Sequence, residues 1–175
     1  GFALVQLALG NCVSGVNPFE GLMDEVAIYD IWTKVAEMGS PITFHNPEAE
    51  AAFEELVRDI AGHAGLAAAP GYQAAVLAAE PLFYWSFDEP GDRDDAVNLA
   101  DPGDPRDLLA AQGNASRADH AALGSGLQLG RAADFDGSVG TSFYAPDIDG
   151  STGAPILNHV PSGLWALEFW FQIKG

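Results

Sequence analysis

The sequence predicts a mainly β protein in which antiparallel sandwich strands are joined by a helical segment. Three observations carry this. Residues 165–173 alternate strictly: Trp165, Leu167, Phe169, Phe171 and Ile173 fall on one face and Ala166, Glu168, Trp170 and Gln172 on the other. A second stretch, Asp24–Asp30, puts Val26 and Ile28 on one face and Glu25, Ala27 and Tyr29 on the other. Between the β-like ends lies one apolar stripe at helical spacing, Ala49, Ala52, Phe53, Leu56, Val57 and Ile60.

Each element follows from local chemistry. Residues 1–10 read as a strand, and the Gly-, Asn- and Ser-rich stretch Asn11–Pro18 as turns. A helix is expected over 47–61. Asn46 is a good cap, Pro47 suits the first helical position, Glu48 and Glu50 favour the positive end of the helix dipole, and Gly62 stops it. Leu66–Gly71 reads as a connector and Tyr72–Ala79 as a short helix ended by Pro81. Strands are expected at Leu82–Phe87, at Ala132–Asp136 running into an Asp-Gly turn, and at Thr141–Ala145. Residues 88–107, crowded with Asp, Pro and Gly, form a loop.

Composition excludes several classes of function. Hydrophobic residues at 48% supply enough material for a core, which argues against disorder throughout. Asp and Glu number 25 against 7 Lys and Arg, a net charge of −18. A nucleic acid or an anionic membrane would be repelled. No stretch approaches the ~20 apolar residues of a membrane span. A single cysteine, Cys12, rules out an intramolecular disulfide, and no Lys, Arg or His stands near it in sequence to favour a reactive thiolate. His45, His63, His120 and His159 are too scattered for a zinc motif. Asn114-Ala115-Ser116 fits an N-glycosylation triplet. Both ends read as mid-strand, so a longer parent chain is expected.

Several segments resemble the bacterial laminin G-like, concanavalin A-like jelly-roll family. Phe19-Glu20-Gly21-Leu22-Met23-Asp24-Glu25-Val26-Ala27-Ile28-Tyr29-Asp30 resembles the family's closing strand. Tyr72–Glu89, a short helix followed by a Tyr-Trp strand and an acidic pair, resembles its opening. Ala132–Gly137 and Trp165–Phe171 resemble its internal Phe-Asp-Gly and Glu-Phe-Trp-Phe strands. The order, closing motif before opening motif, implies the tail of one module over 1–32, a helical linker over 33–80, and the front of a second module over 81–175.

The resemblance implies a secreted or cell-surface, non-catalytic module for adhesion, surface coating or fibre assembly. A carbohydrate-binding module of a larger enzyme is the alternative. Partners would be other modules of the chain, neighbouring subunits or glycans. Family members hold a structural Ca²⁺ where first and last strands meet, which makes Asp24, Asp88, Glu89 and Asp92 its candidate ligands here, with Asp94 and Asp95 nearby. Trp170, opposite the main apolar face, is the expected exposed aromatic for a ligand. Glucanases of the superfamily alternate acids along one strand. Strand 164–174 has only Glu168, and Asp24 and Glu25 are expected on opposite faces, so no hydrolase is expected. Apolar strand faces without a second sheet would invite association, whether the missing strands lie elsewhere in the chain or come from a neighbour.

Overall fold

The computed structural model describes residues 7–11, 18–31, 34, 47–66, 71–102, 109–119, 129–145 and 165–174. The protein is mainly β, and every strand pairing is antiparallel. The strands are β1 (Leu7–Leu9), β2 (Glu20–Asp30), β3 (Phe83–Trp85), β4 (Ala110–Gln112), β5 (Ser116–Asp119), β6 (Arg131–Asp136), β7 (Ser142–Ala145) and β8 (Trp165–Ile173). The helices with described bounds are α1 (Pro47–Gly62), which runs on into a 3₁₀ turn at His63–Leu66, and α2 (Tyr72–Ala78).

The strands form two sheets. A small one has the order β1-β7-β4. The larger is built on β2, which pairs with β8 along one edge from Gly21 to Asp30. The other edge of β2 is shared end to end: β6 takes Glu20–Met23 and β3 takes Val26–Ile28. The strand β5 adds to β6. Residues 1–32 and 81–175, read from sequence as parts of two modules, therefore meet in one sheet.

The eleven residues of β2 are buried almost throughout because both faces of the sheet are covered. Val26 and Ile28 enter a core with Phe83, Trp85, Phe87, Leu109, Phe135 and Phe143, between the two sheets. Phe83 and Trp85 stack at 5.3 Å, and Phe143 meets Phe87 and Phe135 edge-on at 5.1 and 6.1 Å. Ala27 and Tyr29 point the other way, into a second core with Ile60 of α1 and Tyr72 and Val76 of α2. The helical stretch is thus a layer on the back of the sheet. Amphipathic α1 gains most of its stability from this contact, since a helix of 16 residues is marginal alone.

One irregularity decides where the acids go. Between Asp24 and Ala27, two residues of β2, Glu25 and Val26, stand opposite the single residue Phe169 of β8. This is a β-bulge, and Glu25 occupies it with φ +53°, a left-handed conformation that disfavours any side chain but glycine's hydrogen. Strict alternation would put Asp24 and Glu25 on opposite faces. The extra residue instead puts both on the helical side.

Candidate functional site

The two faces of β8 have opposite fates. On the inner face Glu168 is bound to three elements. Tyr29 of β2 and Tyr72 of α2 each donate a hydroxyl hydrogen bond to its carboxylate at 2.7 Å. His63, the first residue of the 3₁₀ turn after α1, places Nδ1 3.0 Å from the same group. Trp170 lies edge-on to Tyr72 at 6.3 Å. The expected exposed aromatic is therefore half-buried under the helical layer, and its sequence partners Ala166, Glu168 and Gln172 share that half-buried face.

Next to this knot lies a second carboxyl. Glu25 is 4% exposed, and Tyr84 of β3 donates a short hydrogen bond to it. Burial, reinforced by nearby Asp88 and Glu168, pushes its carboxyl up from 4.5 to about 8 despite that bond. Asp24 is held well above the usual carboxylate range by burial and by the charge of Glu25. The hydroxyls of Tyr29 and Tyr72 are raised by burial and by their bonds to Glu168, that of Tyr84 by burial and by the charge of Glu25. These phenols stay protonated and act as donors. The knot anchors β8 to the helical layer, and its carboxyls lie beneath that layer rather than in an open cleft.

The outer face of β8 is the reverse of the sequence expectation. Trp165, Leu167, Phe169, Phe171 and Ile173, the row expected in the core, are 55, 44, 39, 55 and 68% exposed. The register explains this. Leu167 stands beside Ile28 and Phe171 beside Met23, so the row continues the face that forms the inter-sheet core. The small sheet does not reach it. Among the described residues, three strands stand against a sheet four strands wide, and the turn between β4 and β5 joins the two sheets at the far end from β8. Counting ~200 Å² for a large apolar side chain, the row exposes about 500 Å² of apolar surface, within the range of functional patches on soluble proteins.

The acidic loop after β3 is organised by arginines. Arg117, 4% exposed, reaches from β5 to Glu89 Oε2 at 2.6 Å and to the carbonyls of Asp94 and Gly91 at 2.6 and 3.2 Å. Its guanidinium also lies 5.1 Å from the Phe143 ring centre. Arg131 binds the Glu89 and Pro90 carbonyls at 3.0 and 2.8 Å and pairs with Asp92, while its backbone N–H donates to Asp88 at 2.8 Å. Arg93 closes the loop onto the Gly113 and Ala115 carbonyls.

Of the four candidate calcium ligands, Asp88 lies close enough to Asp24 that its charge helps to raise the Asp24 and Glu25 carboxyls, while Glu89 and Asp92 are turned to arginines. Among the described residues, no three His, Cys, Asp or Glu side chains converge as a metal site. Asp94 is tied to the backbone of Gly91 at 2.9 Å.

Sequence reasoning missed the knot because its members come from five separated segments. The only signal was the shared face of Tyr29 and Ala27. Among the described residues no helix is long and apolar enough to cross a membrane. No family model, curated protein or solved structure matches the chain.

Proposed function

We propose that this chain is a segment of a non-catalytic, extracellular modular protein of laminin G-like, jelly-roll type, and that it serves assembly or adhesion. The observation that carries the reading is the exposed apolar row of β8, on an edge strand that continues the inter-sheet core. The edge is nine residues long, carries no Pro and no charge on its outer face, and is held against the helices by its one acid, Glu168, which bonds to His63, Tyr29 and Tyr72. The pairing of β2 with β3 sets the closing motif against the opening motif in one sheet, which supports a laminin G-like reading of the two parts as one unit. The burial of Glu25 and Glu168 under helices supports a non-catalytic role.

The test is sedimentation velocity over rising salt, with dye binding to apolar surface as a second readout. Repulsion between copies of charge −18 weakens once the Debye length falls to about 3 Å near 1 M salt. Wild type is expected to bind dye and associate at high salt; Leu167→Ser/Phe171→Ser is expected to do neither. A wild-type chain that neither binds dye nor associates would refute the assembly role.

A second reading, attachment to glycans, is favoured by Trp165, Phe169 and Phe171 standing exposed on one sheet face. Retention on insoluble polysaccharide, lost on Trp165→Ala, would favour it over assembly.

A further inference from the structure

The open side of the sandwich has a definite shape. The small sheet ends at β1, which pairs only with β7 among the described residues. The larger sheet ends at β8, which among the described residues pairs only with β2. These two free edges lie on the same side, because β4 and β5 are joined by a tight turn at the other. The row on β8 is one strand beyond the last strand of the small sheet. Among the described residues, what the geometry lacks is a single strand, added to β1 and lying over the row.

The charge of the molecule says what that strand carries. Net charge is −18. The described cations are largely occupied internally: Arg93, Arg117 and Arg131 by the 88–95 loop and its neighbours, Lys34 by Glu80, Lys174 by Asp134. The acidic surplus on the surface is therefore uncompensated. A second copy would bring the same surplus and be repelled at ordinary salt.

Resting on the assembly reading above, we infer that the open side takes one amphipathic β-strand from another polypeptide, apolar on the face that meets Trp165, Leu167, Phe169, Phe171 and Ile173 and lysine- or arginine-rich on the other. Main-chain bonds to the free edge would supply affinity, and alternate side chains on the row would supply specificity. The basic face would stay in solvent, where its charge is attracted at long range by the net charge of −18 and speeds encounter.

The experiment uses dye-labelled peptides nine residues long, the length of β8, and reads anisotropy against the whole chain. One peptide alternates Val and Lys, a second alternates Val and Glu, and a third has the Val/Lys composition in non-alternating order. The alternating Val/Lys peptide is expected to bind at least about tenfold more tightly than either of the others. Its binding should weaken as salt rises, and Leu167→Ser/Phe171→Ser, which leaves the net charge unchanged, should abolish it. Equal binding of the shuffled peptide, or binding unchanged by the double substitution, would reduce the effect to non-specific attraction and overturn the inference. Equal binding of the Val/Glu peptide would overturn the basic character of the partner. If no peptide binds while wild type still associates through the row at high salt, the occupant is a second copy and the assembly reading survives alone. If neither occurs, both fall.

Discussion

Replacing Glu25 by Gln should change how stability depends on pH more than it changes stability itself. In the native state this carboxyl is held protonated up to about 8, against 4.5 when exposed. Between those values the folded protein binds a proton that the unfolded chain does not, so stability falls as pH rises. The contribution is fully present below about 4.5 and is lost as pH climbs through about 8. At about 1.36 kcal/mol per pH unit, the interval of roughly 3.5 corresponds to about 5 kcal/mol, an upper figure for a group 4% exposed. Gln keeps the shape, and its amide can bond to Tyr84, but it carries no titrating proton. Urea unfolding at several values from pH 4.5 to 9 is the assay. Wild type and Glu25→Gln should agree within about 1 kcal/mol at the acid end and diverge by several kcal/mol at pH 8.5, with the variant the more stable. Parallel curves across the range would show that Glu25 titrates normally, and the reasoning about its burial would fail.

Further outcomes follow from other contacts. Tyr72→Phe removes one of three partners of Glu168 and should cost about 1–2 kcal/mol, with amide exchange in α2 accelerating before exchange in β2 does. Arg117→Met takes the cation from Glu89, leaving it the Val97 N–H alone, and takes a donor from the Asp94 and Gly91 carbonyls; it should cost roughly 3–5 kcal/mol, read by thermal unfolding, with protease cuts appearing first in the 88–95 loop. Gly21→Ala places a methyl 2.2 Å from the Gln172 carbonyl oxygen, so it should weaken the β2–β8 pairing and speed amide exchange there more than in the small sheet. Asp136, its carboxyl held below the usual range by the Ser138 backbone N–H and the Asn114 amide, organises the turn after β6. Asp136→Asn should flatten the acid limb of the stability profile.

Much of the fold was legible because strands and helices announce themselves by period. The alternation over 165–173 and the stripe over 47–61 match β8 and α1 to within a residue at each end. Period does not say which face is covered, and that is decided by where another sheet stops. The composition of the β8 row predicts a core face, yet among the described residues the three-stranded sheet ends one strand short and leaves the row open. The bulge was invisible for a different reason. A left-handed position is usually signalled by Gly or Asn, and here Glu occupies it. The arginines that organise the acidic loop were unreadable as partners because Arg117 and Arg131 stand 28 and 39 residues from Glu89 and Asp92.

The bulge at Glu25 also works as an alignment key. Two regular strands can slide past one another in steps, and each single step reverses which side chains face in. A notch that accepts one residue, Phe169, opposite two removes that freedom, because β8 fits β2 at one setting only. Sliding by a residue would tear Glu168 from its two tyrosines and drive the apolar row into the helices at once. The strand offered at the edge of the molecule is thus held in fixed phase with the body behind it, and any polymer built on that edge would inherit a defined repeat rather than a variable one.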